Sequence, residues 1–223
     1  MNKWTVGCGG MLVILGVIAL VLGLLLLGRY NSLVKLDQEV NKKWGDVQTV
    51  YQRRADLIPN LVNTVQGAAN FEKSTLTEVV NARASVGRVT LDASKAPTDA
   101  AQLQQFQEAQ GQLSNALSRL LVVSENYPEL KANQNFLGLQ AQLEGTENRI
   151  SVERNNYNEV VQRYNTAVRS FPTNLIAGMF GFPPRPFFNA QAGADRAPTV
   201  NFNFGSPAPA ATAVPEATAA ATP

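Results

Sequence analysis

FLGLQAQLEGTENRISVERNNYNEVVQRYNTAV, residues 136–168, holds one face of a helix for more than thirty residues. Phe136, Leu139, Leu143, Thr146, Ile150, Glu153, Tyr157, Val161, Tyr164 and Val168 follow one another at steps of three and four, the period of a helix that buries one stripe. At 1.5 Å per residue the helix is on the order of 50 Å long. A rod of that length needs a partner of matching length, and the chain contains one. Leu33, Leu36, Val40, Trp44, Val47, Tyr51, Ile58, Leu61 and Val65 keep the same spacing, with Arg54 standing where the pattern asks for an apolar residue. Pro59 falls inside this run. It removes a backbone donor and crowds the preceding turn, which predicts a kink around residues 57–60.

Between the two rods lie two shorter helical patterns. One runs from about residue 71 to 88, with Leu76, Val79, Val80 and Val86 expected inward. The other starts at the Pro97-Thr98-Asp99 signal and is carried to about Glu125 by Leu103, Phe106, Leu113, Leu117 and Leu120. Asn126-Tyr127-Pro128-Glu129 punctuates, with Pro128 suited to a first helical turn. Two long and two short helices with short connections and almost no strand pattern predict an all-α protein. Its core is an elongated antiparallel four-helix bundle over residues 31–170, with helices crossing at about 20°.

Upstream, residues 4–28 form 25 consecutive uncharged positions, mostly Leu, Val, Ile and Gly. The run reaches roughly 37 Å, enough to cross a hydrocarbon core of about 30 Å. A cleaved signal peptide is the competing reading. The apolar stretch 11–27 exceeds a signal h-region, and its end lacks an Ala-x-Ala-like site, so residues 1–30 are read as a flank and a transmembrane anchor helix. Nothing around residues 29–31 breaks the helix, so the anchor is expected to continue into the first rod. Arg29, Lys35, Lys42 and Lys43 after the span, against Lys3 before it, lean toward a cytoplasmic domain, with the side left open. Downstream, residues 171–188 are rich in Phe and Pro. Leu175, Ile176, Met179, Phe180 and Phe182 are spaced for a short apolar helix that caps the bundle or touches lipid headgroups. Residues 189–223, dominated by Ala, Pro and Thr with three charges, are read as a disordered tail, interrupted by Asn201-Phe202-Asn203-Phe204.

Chemistry is sparse. The chain has no histidine, which removes the commonest general base, metal ligand and nucleophile activator. Cys8, the single cysteine, stands at the membrane edge far from any candidate base. Glu144 and Glu147 sit one turn apart, an ordinary spacing on a charged helix. With 19 Lys and Arg against 17 Asp and Glu and no basic stripe, a nucleic-acid partner is not expected. Neither a cofactor, a metal nor a small-molecule substrate is indicated, and the chain is expected not to be an enzyme.

Two polar constellations stand out. Arg53, Arg54, Asp56 and Asn60 on the first rod would meet Glu147, Asn148, Arg149 and Arg154 on the last if the two pack antiparallel. That network would either fix register and compensate the kink, or hold a partner or an anion. Tyr157, Asn158, Tyr164 and Asn165 form two Tyr-Asn pairs seven residues apart, on one side of the helix. They would plug the core and bond across to neighbouring helices, or form a self-association seam.

Several stretches resemble the LemA family of bacterial membrane proteins. They are Arg53-Arg54-Ala55-Asp56-Leu57-Ile58-Pro59-Asn60-Leu61-Val62, Val80-Asn81-Ala82-Arg83-Ala84, and Leu143-Glu144-Gly145-Thr146-Glu147-Asn148-Arg149-Ile150. With them go Tyr157-Asn158-Glu159-Val160-Val161, Tyr164-Asn165-Thr166, Phe171-Pro172, Ile176-Ala177 and Phe180-Gly181-Phe182, in family order over residues 33–188. The resemblance implies an elongated antiparallel helical domain on a bacterial membrane and no enzyme activity. The expectation is a single-pass scaffold or adaptor that organises membrane proteins or copies of itself, with membrane remodelling as the second reading.

Overall fold

The computed structural model describes residues 3–67, 71–89 and 91–189, and every regular element among them is helical. The order is α1 (Lys3–Gln66), α2 (Lys73–Arg88), α3 (Ala100–Ser124), α4 (Pro128–Lys131), α5 (Gln134–Arg169) and α6 (Thr173–Phe180). One compact unit ends at Asn189. The tail and its Asn201–Phe204 motif lie outside the described residues.

Local chemistry sets most boundaries. Asp99 accepts the Ala101 amide at 2.8 Å and opens α3. Pro128 occupies the first turn of α4, where its missing N–H has no helical partner to lose. Asn133 caps α5 by accepting from the amides of Asn135 and Phe136. Helix α6 stops at Gly181, whose φ of 74° is left-handed, and Phe182 N–H closes the turn onto the Ala177 carbonyl at 2.9 Å.

Helix α1 runs unbroken from the apolar segment into the domain, as the absence of a stop signal near Arg29 predicts. It also runs through Pro59. Proline cannot donate to the carbonyl four residues back, that of Ala55, and the Nε of Arg83 on α2 donates to that carbonyl at 3.2 Å. Two stretches apart in sequence, one around Pro59 and one around Arg83, thus meet at a single backbone atom.

From about Leu33 onward, α1 pairs with α5. Glu39 meets Arg163 at 2.8 Å, the rings of Trp44 and Tyr157 lie 5.8 Å apart, and Arg54 meets Glu147 at 2.7 Å. Numbers rise along one helix as they fall along the other. Two apolar cores result. The first joins Leu33, Val40, Trp44, Val47 and Tyr51 to Phe106, Ile150, Tyr157, Val161, Tyr164 and Val168. A second core unites Ile58, Leu61 and Val65 with Val79, Leu113, Leu117, Leu120, Phe136 and Leu143. Every periodic position of α1 from Leu33 is buried except Leu36, which is partly covered. Val80 departs from expectation: it is 49% exposed, because α2 turns only Thr75, Leu76, Val79 and Ala82 inward.

Candidate functional site

Between the two cores lies a polar layer centred on Arg54. Tyr51 above it on α1 belongs to the first core and Ile58 below to the second. The guanidinium is buried, and its Nη1 donates to Glu147 Oε2 at 2.7 Å and to Ser114 Oγ at 2.9 Å. Nη2 donates to the side-chain oxygen and, at 3.4 Å, the backbone carbonyl of Gln110. The cation also lies 5.2 Å from the Tyr51 ring centroid. Three helices therefore meet on one charge, and sliding any of them by a turn would strand it.

Of the network expected here, Arg54 and Glu147 come together and the rest do not. Arg53, Asp56, Asn60, Asn148 and Arg149 are exposed. Asp56 accepts from Gln52 one turn back at 2.8 Å, and Arg53 and Asp56 border a shallow open groove with Lys42, Asp46 and Gln48. Arg154 turns instead to Gln107 and the Asn189 carbonyl, with its cation 4.9 Å from the Phe188 ring. The physical reason is angular. Arg53 and Asp56 stand roughly 100° or more away from Arg54 around the helix, so only one of the three can face α5. Gln110 and Ser114 stand outside the expected constellation. Their signal was available: two polar residues four apart at inward positions of α3, between Phe106 and Leu117.

The two Tyr-Asn pairs hold a strap formed by residues 182–189. Tyr164 OH donates to the Pro183 carbonyl at 3.0 Å, and Tyr157 OH to that of Pro186 at 3.3 Å. Asn165 exchanges both amide bonds with the Arg185 backbone at 2.8 Å, and Asn158 does the same with Phe188 at 2.9 and 2.8 Å. A heptad step on α5 thus matches a three-residue step on the extended strap. The tyrosines plug the core, the first of the two readings: Tyr157 and Tyr164 are fully buried and Asn165 is 6% exposed. The amides do not reach neighbouring helices, since the strap arrives first.

Arg185 locks the strap to α1. Its Nη2 donates to Asp37 Oδ1 and its Nη1 to the Ala96 carbonyl, both at 2.7 Å. Asn41 joins this node by donating to Asp37 at 3.2 Å and accepting the Ala96 amide at 2.9 Å. Burial pushes the hydroxyls of Tyr51, Tyr157 and Tyr164 above the usual tyrosine range. Arg154 and then Arg54 oppose the shift at Tyr51, Arg185 opposes it at Tyr157, and at Tyr164 Asp37 adds to it while Arg185 offsets it. These phenols stay protonated, and those of Tyr157 and Tyr164 act as fixed donors to the strap.

The buried polar groups thus tie helices and strap together. One helix, Ile14–Gln66 by its described residues, is long and apolar enough to cross a membrane, and its apolar segment packs against no other part of the domain. A membrane-associated all-helical protein is the class these features define. The family model described as "LemA family" matches residues 43–202, which takes in the second core, the first core from Trp44 onward, the polar layer and the strap. The chain belongs to the LemA family, as the motifs around Pro59, Glu147 and Tyr157 indicate. It is 26% identical over 201 residues to magnetosome protein MamQ 2 of Paramagnetospirillum magneticum, covering 82% of this chain and 72% of that protein. Against magnetosome protein MamQ of Magnetospirillum gryphiswaldense the identity is 24% over 189 residues, covering 76% and 68%. Protein LemA of Metamycoplasma hominis is 25% identical over 150 residues, covering 67% and 64%.

Proposed function

We propose that this protein is a non-catalytic, single-pass scaffold of the bacterial cell membrane, whose domain is an antiparallel helical bundle that organises other membrane proteins or copies of itself. The observation that carries this reading is the unbroken α1. A helix that leaves the apolar segment and supplies one side of both cores couples the domain's orientation to the span, where a flexible tether would not. Confinement to a surface raises the effective concentration of whatever the domain holds. The opposed numbering of the paired residues on α1 and α5 supports the antiparallel arrangement. The pairing of Arg54 and Arg185 within the chain supports a structural rather than a catalytic use of the buried charges. The lysines and arginines that follow the span favour a cytoplasmic domain.

The test is proximity labelling in cells from a tag on the domain, with and without a Gly-Pro insertion after Arg29. A scaffold returns a small reproducible partner set that the insertion disperses. Labelling of the bulk membrane proteome by both forms sinks the proposal. The second reading, membrane remodelling, draws on the exposed apolar side chains of α6. It requires the purified full-length protein to deform vesicles, and round vesicles at high protein density exclude it.

A further inference from the structure

Helix α6 buries one side and leaves the other bare. Ile176 and Ala177 join the first core beside Leu33. Leu175 and Met179, four residues apart and therefore on one face, are 57 and 80% exposed; Phe180 beside them is 59% exposed, and Phe171, on the turn that leads into the helix, is 81% exposed. Single exposed apolar residues are ordinary, but four large ones gathered on one turn-and-helix are a surface made to be covered.

The position of this face in the fold identifies the cover. The Tyr30 ring lies 5.0 Å from that of Phe180 and 5.9 Å from that of Phe182. Tyr30 stands two residues past Gly28, the last of the uncharged run, which is about 3 Å along the helix axis. A run that spans a bilayer ends among the headgroups, where tyrosine is favoured. With α1 in a membrane, α6 therefore lies at headgroup level.

Charge points the same way. Residues 1–36 contain no Asp or Glu, and neither do residues 160–189. The pairing of α1 with α5 brings these two stretches to one end of the domain. Arg163 and Arg185 there are paired with Glu39 and Asp37, whereas Arg29, Lys35 and Arg169 form no ion pair among the described residues. Apolar side chains rimmed by uncompensated cations match an anionic lipid surface, acyl chains for the first and phosphates for the second.

We propose that α6, with Phe171, is a lipid-binding foot. It lies in the bilayer surface beside the exit of α1 and sets Phe171, Leu175, Met179 and Phe180 among the upper acyl chains of an anionic leaflet. The inference rests on α1 crossing the bilayer and goes beyond the scaffold reading. A span alone leaves the domain free to rotate about the helix axis, and a second foot fixes which face it presents along the membrane.

The full-length chain, with Cys8→Ala, is labelled through single cysteines with an environment-sensitive fluorophore. M179C reports on the foot, L20C on the span, and V122C, a 67% exposed position near the far end of α3, on the solvated domain. Each protein is reconstituted into phosphatidylethanolamine and phosphatidylglycerol vesicles containing lipids with a nitroxide high on the acyl chain or near its end. An interfacial face sits roughly 5–10 Å into the headgroup boundary, so the high nitroxide should quench the Met179 position at least about twofold more than the Val122 position. Replacing phosphatidylglycerol by phosphatidylcholine should weaken quenching at Met179 and leave Leu20 unchanged. If Leu20 is quenched by the deep nitroxide while Met179 matches Val122, the foot is overturned and the span stands. No quenching at Leu20 overturns the span and the foot with it. A Met179 blue shift that ignores nitroxide lipid but grows with protein density means that a second copy covers α6, and also overturns the proposal. Quenching at Met179 that is indifferent to lipid charge removes the anionic preference.

Discussion

Replacing Glu147 by alanine probes the polar layer from its open side. Glu147 is 51% exposed and Arg54 only 2%, so exposure alone ranks the glutamate as the dispensable partner. The geometry ranks it the other way. Removing a carboxylate 2.7 Å from Nη1 leaves a guanidinium buried among Gln110, Ser114 and the Tyr51 ring with neutral partners only. Stranding one member of a buried pair costs roughly 3–5 kcal/mol, and water entering where Glu147 stood brings this to about 2–3 kcal/mol. Arg54→Met removes the charge itself and leaves Glu147 hydrated, at a cost of about 1–2 kcal/mol for the lost hydrogen bonds. The double variant R54M/E147A should then be more stable than E147A alone. Urea unfolding of the full chain in detergent, read by Trp44 emission in a Trp4→Phe background, measures all three. Trp44 is fully buried, and its Nε1 donates to the Asp92 carbonyl at 2.8 Å. With a slope of about 1–3 kcal/mol/M, E147A moves the midpoint by roughly 1 M. A double variant as unstable as E147A, or more so, refutes the idea that a stranded buried charge sets the cost.

Other expectations rest on other ties. Arg83→Met should destabilise by about 1 kcal/mol in the native background and by much less in Pro59→Ala, where residue 59 regains an N–H for the Ala55 carbonyl; equal losses in the two backgrounds would dissociate Arg83 from the proline. Asn165→Ala strips both bonds from the Arg185 backbone, so the strap should open locally at a cost of about 2–4 kcal/mol. Chymotrypsin should then cut after Phe187 or Phe188 while the helical signal persists, and unchanged resistance would count against the zipper. Because burial raises the Tyr51, Tyr157 and Tyr164 hydroxyls, the unfolded chain ionises first, near pH 10. Their contribution is therefore intact below about pH 10 and is lost as pH rises beyond it. Tyr157→Phe should cost about 0.5–1.5 kcal/mol at neutral pH for the 3.3 Å bond to Pro186, yet make stability fall less steeply in alkali. Parallel slopes for the two proteins would refute the burial argument.

The all-helical class, the inward residues of α1, α3 and α5, the helix starts at Asp99 and Pro128 and the continuity of α1 with the apolar run were all legible in the sequence. Each depends on neighbours within a few turns: the three-and-four spacing declares a buried face wherever that face points. Arg54 declared itself too, as the one charge on an apolar stripe. Its partners from α3 did not, because nothing local says which third helix arrives opposite a polar residue. The strap was hidden for a related reason. Residues 182–189 carry no periodicity, and their hold on α5 runs through backbone atoms that every residue possesses, so Tyr157, Asn158, Tyr164 and Asn165 announced a need for partners without naming them. The same holds for Arg83, whose acceptor exists only because Pro59, on another helix, leaves a carbonyl unfilled. Spacing along the chain determined which side chains turn inward. Only the tertiary fold decided what each buried polar group touches, since a hydrogen-bond partner is chosen by the segment that reaches it, at separations up to the 148 residues between Asp37 and Arg185.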